Sequence, residues 1–305
     1  MKDLIIIGAG PAGLGASIYA SRYKLDHVVI GREVGGQVTE ASAIENWAGE
    51  LSITGQDLMN KFRKHAESFG TEIVEAEVDG IKKIEGGFEV FCESNGKKYE
   101  AKTIILALGM KARKLDIPGE DKFIGKGVSF CATCDAMFFR GKDVAVVGGG
   151  DSAATASLHL ADFANKVYLV YPKDDVRFDP SWAQKMNENP KIEQVKCSKV
   201  VEIKGGQSVE GMVCEVDGAQ KDLQIQGVFI EIGSIPGVEL AHEIGVKTDE
   251  QNYIHVTEDQ QTNVENVFAA GDVTTNSNKF RQIITAVAEG SIAAGSVYRK
   301  LKLGK

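Results

Sequence analysis

Leu4-Ile5-Ile6-Ile7 is an unbroken apolar run that stops at Gly8, the pattern of a strand covered on both faces. Apolar positions then recur at helical spacing over residues 12–23, and a second apolar run follows over residues 27–30. Strand, helix and strand make a βαβ opening. Residues 55–69 predict an amphipathic helix, and residues 72–106 predict short strands joined by polar turns such as Glu85-Gly86-Gly87 and Asn95-Gly96. Residues 104–108 are another buried strand, ending at Gly109. The opening pattern then returns: a strand over residues 143–147, a helix to about Phe163 and a strand over residues 166–170. Further short strands are expected over residues 200–203, 210–216 and 226–232. Val267-Phe268-Ala269-Ala270 is a buried strand that finishes in Gly271-Asp272, and Arg281-Gln282 opens a small-residue helix running to about Lys300.

Both strand–helix junctions are rich in glycine: Gly8-Ala9-Gly10-Pro11-Ala12-Gly13 and Gly148-Gly149-Gly150-Asp151-Ser152-Ala153. In the first, Gly8, Gly10 and Gly13 let the backbone turn tightly and approach a pyrophosphate seated on the helix N-terminus. The strand before and the helix after are what give this spacing its meaning. The second loop keeps the spacing with Gly148, Gly150 and Ala153. Two such units imply two dinucleotide sites rather than a repeat array, so the fold class is α/β with two Rossmann-like domains. The acid that usually binds the ribose, about 20 residues on, is missing. The strand ends Ile30-Gly31-Arg32-Glu33, which puts Glu33 late and leaves ribose contact to the backbone.

Between the loops lies Cys131-Ala132-Thr133-Cys134-Asp135. Two cysteines at this spacing can close a small disulfide ring, form half of a metal site or pair by chance. A thiolate there can be stabilised enough to react near neutral pH, and an acid directly after it could protonate a leaving thiolate. A four-thiolate zinc site needs a second Cys-x-x-Cys, which the sequence lacks, so no metal is expected. Cys92, Cys197 and Cys214 stand singly, as core or strand residues of a reducing compartment do.

The 305 residues are enough for two ordinary domains. No apolar run approaches the ~20 residues of a membrane span, and the start lacks a signal-peptide pattern, so a cytoplasmic location is expected with no membrane partner. A net charge of −8 without a basic cluster argues against nucleic acid as a partner.

Taken together, these motifs resemble the low-molecular-weight thioredoxin reductases, FAD-dependent pyridine nucleotide-disulfide oxidoreductases of class II, over nearly the whole chain. The resemblance implies FAD bound by Gly8, Gly10 and Gly13, with Gly35, Gly36, Gln37 and Asn46 lining the flavin. It implies that Gly271-Asp272 presents its acid to the ribityl and pyrophosphate part, and that Arg281 and Gln282 sit at the flavin ring. The partial positive charge of the helix N-terminus at Arg281-Gln282 would favour an anionic reduced flavin. It implies further that Cys131 and Cys134 are the redox disulfide, Cys134 toward the flavin and Cys131 attacking the substrate, with Asp135 as general acid. The expected organisation is a discontinuous FAD domain, residues 1–113 and 237–305, with a nicotinamide-type domain, residues 114–236, inserted through linkers at 112–115 and 235–237. A homodimer is implied, with electrons passing from a donor through FAD and the disulfide to thioredoxin or a thioredoxin-like protein. Because the disulfide must meet the flavin and then a large protein, the insert is expected to rotate about its linkers.

The departure from the family lies at the donor site, where Gly148, Gly150, Ala153, Lys173 and Arg177 are the implied contacts. Members that use NADPH carry His-Arg-Arg and a further arginine four residues on. This chain reads Tyr171-Pro172-Lys173, with Arg177 in the last place and Asp174 and Asp175 between. Pro172 has neither charge nor N–H, and lysine lacks the planar fork of arginine. Two lost charge-assisted contacts, about 1.5–3 kcal/mol each, would weaken NADPH roughly a hundred-fold or more. NADPH is therefore expected to be a poor donor, NADH a weak one, and ferredoxin, which serves some members, an alternative. Two other functions fit the motifs less well. One is reduction of a small disulfide, alone or as part of a peroxidase system. The other is a non-enzymatic flavin sensor, which would have no use for Asp135.

Overall fold

The computed structural model describes residues 1–41, 44, 46–172, 177–196, 199–216 and 218–304. The chain opens with β1 (Lys2–Ile7), α1 (Pro11–Arg22), β2 (His27–Gly31), α2 (Gly55–Ser68) and β3 (Glu72–Glu75). A meander follows through β4 (Gly80–Ile84), β5 (Gly87–Cys92) and β6 (Lys97–Leu106), and then the short strand β7 (Met110–Ala112). Next come α3 (Glu120–Phe123), β8 (Val128–Ser129), α4 (Ala132–Asp135), β9 (Asp143–Val147), α5 (Asp151–Ala161), β10 (Lys166–Tyr171) and α6 (Pro180–Glu188). Strands β11 (Ile192–Lys196), β12 (Lys199–Gly205), β13 (Val209–Val216), β14 (Ala219–Gln224) and β15 (Gly227–Ile230) complete this stretch. The chain closes with β16 (Ser234–Pro236), α7 (Glu239–Glu243), β17 (Val267–Ala269) and α8 (Ile283–Leu303).

Contacts divide the chain into two compact units, Met1–Lys111 with Pro236–Lys305, and Ala112–Ile235. The crossing segments β7 and β16 pair with each other as a two-stranded ladder.

Among the described residues the first unit's sheet has seven strands, in the order β3-β2-β1-β6-β5-β4, with β17 also on β6. Strand β6 explains this branching. Its Lys97–Ala101 half pairs antiparallel with β5, and its Ile104–Leu106 half pairs in parallel with β17. On its other edge it pairs in parallel with β1. Alternate residues of β1 go to opposite sides of the sheet. Ile5 and Ile7 join a core with Ile104, Leu106 and Val267, whereas Leu4 and Ile6 join one with Ile105, Phe268 and Ala293. Each such side chain contributes about 1.5–3 kcal/mol on burial, which is why the strand reads as continuously apolar.

The second unit has a parallel five-stranded sheet in the order β11-β10-β9-β15-β8, and an antiparallel three-stranded sheet β12-β13-β14. It has its own cores, one built on Val147, Val170, Met212 and Val228, the other on Val146, Ala153, Leu169 and Phe229.

Helix boundaries follow local chemistry. Pro11 takes the first helical position of α1, where its fixed φ and missing N–H are tolerated. Gln282 caps α8 and exchanges hydrogen bonds with Thr285, and Gly304 ends the helix in a left-handed conformation. The strand expected over residues 226–232 is confined to β15, because the chain turns at Gly233, φ +88°, toward the crossing. Among the described residues no helix is long and apolar enough to cross a membrane.

Candidate active site

In the first unit the β1–α1 turn is held by exclusion of side chains. Gly8 has φ +110°, and a Cβ there would lie 2.1 Å from the Ala107 carbonyl oxygen. A Cβ on Gly13 would lie 1.8 Å from the Gly8 carbonyl oxygen. Gly10 differs: the nearest atom to a Cβ would be the Gly35 carbonyl oxygen at 3.8 Å. That open side, at the start of a helix with no side-chain cap, is where a phosphate group can approach backbone N–H groups. Gly35 donates its N–H to the Ala9 carbonyl at 2.8 Å, and Gly36 leans over Gly10, with a Cβ there falling 3.6 Å from the Gly10 Cα. Gln37 follows, exposed, in the 3-10 turn Gly36–Glu40.

The far end of the chain comes to the same region. A Cβ on Gly271 would stand 2.9 Å from Ala12 Cβ, which brings the Gly271-Asp272 turn to the start of α1. Burial raises the pKa of the Asp272 carboxyl; Arg281 acts against that shift and Glu289 adds to it. The Arg281 guanidinium lies over the Tyr253 ring at 4.4 Å. Asn46 Nδ2 donates to Gln282 Oε1 at 2.9 Å. Asn46 and Gln282, 236 residues apart, are thus joined directly.

In the second unit Cys131 and Cys134 form a disulfide, with S–S 2.05 Å. Cys131 precedes the short helix α4, and its Sγ accepts the Cys134 N–H at 3.1 Å. Ser129 braces Cys131 by accepting its N–H at 3.0 Å and donating to its carbonyl at 3.2 Å. Cys131 and Asp135 are half-buried, and Cys134 is exposed. Ala132 and Ala136 pack with Ala153 and Ala154, so the disulfide segment rests on the helix that follows the second glycine loop. Met137 and Phe138 are 68% and 72% exposed directly after it.

The second loop repeats the first. A Cβ on Gly148 would lie 2.1 Å from the Glu231 carbonyl oxygen and 2.9 Å from Ala153 Cβ, while Gly150 has nothing within 4 Å. Segment 177–179 is fastened to this loop: Arg177 donates its N–H to the Gly149 carbonyl at 2.7 Å, and Asp179 donates its N–H to Asp151 Oδ1 at 2.7 Å. Tyr171 ends β10 at 2% exposure, edge-on to Phe178, with its hydroxyl donating to Gln194 Oε1 at 2.7 Å. Lys173 lies outside the described residues, as do Glu45, Asp174, Asp175 and Cys197. Cys92 and Cys214 are buried core residues. Among the described residues no three His, Cys, Asp or Glu side chains gather as a metal site.

Sequence reasoning missed Ser129, Met137, Phe138 and Glu289. Nothing in the spacing of Ser129 marks it, and of the apolar run Met137-Phe138-Phe139 only Phe139 is buried.

Two nucleotide-type βαβ units with a disulfide between them in sequence define a class, and the sequence model described as Pyridine nucleotide-disulphide oxidoreductase matches residues 2–290. Thioredoxin reductase of Bacillus subtilis is 39% identical over 299 residues, covering 97% of this chain and 93% of its own. Among solved structures, Lactococcus lactis thioredoxin reductase matches with a TM-score of 0.89 at 34% identity, covering 98% of each chain. A ferredoxin-flavin thioredoxin reductase from Clostridium acetobutylicum matches with a TM-score of 0.54 at 34% identity, covering 99% of this chain and 98% of its own. The chain belongs to the thioredoxin reductase family, flavoprotein enzymes of the oxidoreductase class.

Proposed function

We propose that the first unit, expected from the sequence as residues 1–113 with 237–305, binds FAD, and that the Cys131–Cys134 disulfide of the second unit passes electrons to thioredoxin or a thioredoxin-like protein. The residues fit the cofactor. The open side of Gly10 and the uncapped start of α1 suit a diphosphate, and Asp272, Arg281 and the Asn46–Gln282 pair supply polar groups around it. FAD, when bound, supplies a two-electron relay between donor and disulfide.

What carries the reading is the disulfide geometry. With the bond reduced, the Cys134 N–H at Cys131 Sγ favours the thiolate on Cys131. That thiolate attacks one sulfur of the partner's disulfide, forming a mixed disulfide and releasing a partner thiolate. Asp135, the residue after Cys134, gives that leaving sulfur its proton. Cys134 then attacks Cys131 Sγ, the Cys131–Cys134 bond re-forms, and the second partner thiol leaves after taking up a proton. Met137 and Phe138, exposed beside the disulfide, give a protein substrate apolar surface to dock on. A small disulfide would leave them unused, which favours the protein substrate.

For the donor, buried Tyr171 favours a carrier other than NADPH. Its hydroxyl is committed to Gln194, and Pro172 beside it offers no donor. The second loop, through Gly148, Gly150 and Ala153, retains room for a pyrophosphate, with Arg177 alongside and Lys173 as the remaining implied cation. We therefore take NADPH as a poor donor, NADH as a weak one and reduced ferredoxin as the alternative, in a cytoplasmic homodimer. The test is anaerobic bleaching of the flavin by NADPH, NADH and reduced ferredoxin in turn, followed by turnover with thioredoxin, glutaredoxin and small disulfides. Rapid bleaching by micromolar NADPH would overturn the donor assignment. Faster turnover with a small disulfide than with thioredoxin would overturn the substrate.

A further inference from the structure

Glu289 is a carboxylate in the middle of α8 at 4% exposure, and no step above uses it. Among the described residues no lysine or arginine forms an ion pair with it. Instead it collects donors from a single loop. The Gly271 N–H donates to Oε2 at 2.8 Å, the Thr274 hydroxyl to the same oxygen at 2.9 Å, and the Ser277 hydroxyl to Oε1 at 2.6 Å. A buried carboxyl group needs such partners, and here they fix the path of the loop from Gly271 to Ser277.

That path has two further features. Ser277, Asn278 and Lys279 have φ of +49°, +52° and +56°, three successive left-handed residues, none of them glycine. L-residues adopt this conformation reluctantly and need outside support. Glu289 holds the first of them, and Asp249 holds the last through Lys279 Nζ at 2.8 Å. The left-handed turn then delivers the chain to Arg281 and Gln282. The helix carrying Glu289 is itself fixed, because a Cβ on Gly290 would lie 2.0 Å from the Ala12 carbonyl oxygen at the start of α1. One carboxylate thus ties α8 to Gly271-Asp272 at one end of the segment and to the turn before Arg281-Gln282 at the other.

We propose that Glu289 is a positioning residue for the flavin site: it holds Asp272, and through Ser277 the Arg281-Gln282 pair, in place against the first glycine loop. The inference rests on the assignment of that loop to FAD. It is tested by the FAD dissociation constant, measured by flavin fluorescence, with the urea midpoint of each flavin-free form as the control for folding. Glu289→Leu removes both acceptor oxygens and so all three hydrogen bonds, and is expected to raise the dissociation constant about tenfold or more. Glu289→Gln keeps one oxygen for Gly271 and offers its NH2 to a hydroxyl, so it is expected to stay within about threefold of the parent. Because Glu289 acts in part through Asp272, Glu289→Leu added to Asp272→Asn is expected to cost less than the roughly tenfold it costs alone. Thr274→Val and Ser277→Ala, each removing one donor, are expected to raise the dissociation constant about threefold or more at a retained urea midpoint; they decide the matter if Glu289→Leu fails to fold. An unchanged dissociation constant in Glu289→Leu, or in both single-donor variants, overturns the inference, as does a full tenfold addition on Asp272→Asn. A parent protein that carries no flavin and takes up none overturns the flavin assignment itself; a parent that binds FAD with Glu289→Leu unaffected overturns this inference alone.

Discussion

Cys131 and Cys134 share one bond but not one environment. Cys131 is half-buried, braced by Ser129 and aimed at by the Cys134 N–H, while Cys134 is exposed. Removing either sulfur should therefore give different proteins. Cys131→Ser is expected to leave a single thiolate and a long-wavelength charge-transfer band in the FAD-loaded protein, and Cys134→Ser to bind FAD without the band; the opposite pattern would exchange the two roles. Asp135→Asn keeps the shape and removes the proposed proton donor, so thioredoxin turnover should fall about a hundred-fold with FAD binding intact. A third expectation concerns His27, which is buried with Nδ1–H donating to the Leu25 carbonyl at 2.9 Å. Burial lowers its pKa. The unfolded chain then takes a proton below its ordinary value of about 6.5 that the folded chain refuses, so stability present above that pH is lost as pH falls. The urea midpoint of the parent should drop more between pH 7.5 and 5.5 than that of His27→Gln, and equal drops would sink the idea. At this scale the sequence showed the glycines and the two cysteines, because their spacing is local. It hid Glu289, whose partners come from a loop twelve or more residues away, and it hid the Asn46–Gln282 contact for the same reason.

Among the elements, α1 offers the sharpest separation of folding from binding. Gly13→Ala drives a methyl into the Gly8 carbonyl and should cost about 1–3 kcal/mol of stability, as overpacking does. Gly10→Ala meets nothing closer than 3.8 Å, so the urea midpoint should stay near the parent's while FAD affinity falls. If FAD binds Gly10→Ala as well as the parent, the diphosphate does not sit there. Elements with both faces covered were legible: past their first residue β1 and β9, like all of β2, are shielded from water on both faces, and β10 is apolar from Val167 on with only Tyr168 partly exposed there. Strand β14 was not. Of its six residues only Leu223 is buried, so polar side chains mask a strand held by its backbone pairing with β13. The short strand β8 and the crossing pair β7 and β16 are likewise invisible, since two or three residues carry no periodicity.

For the whole molecule, each unit has its own cores, and chains built this way seldom unfold in one step. Calorimetry should show two transitions. FAD at a hundred times its dissociation constant should stabilise the unit that binds it by about 2.7 kcal/mol and leave the other transition in place; a single transition moving as one would contradict this. The two α/β units were legible because each announces itself with an apolar strand and a glycine loop, and the places where the chain crosses between them were expected at 112–115 and 235–237. The pairing of the two crossing segments was not legible, because pairing between residues so far apart in sequence leaves no local mark. Yet that crossing has a consequence of its own. Met110–Ala112 and Ser234–Pro236 run side by side, so the segment between them enters and leaves through one doorway. A gene that acquired or exchanged this segment would have had to mend a single seam, and grafting a foreign domain with neighbouring ends at the same point should leave the host fold closed.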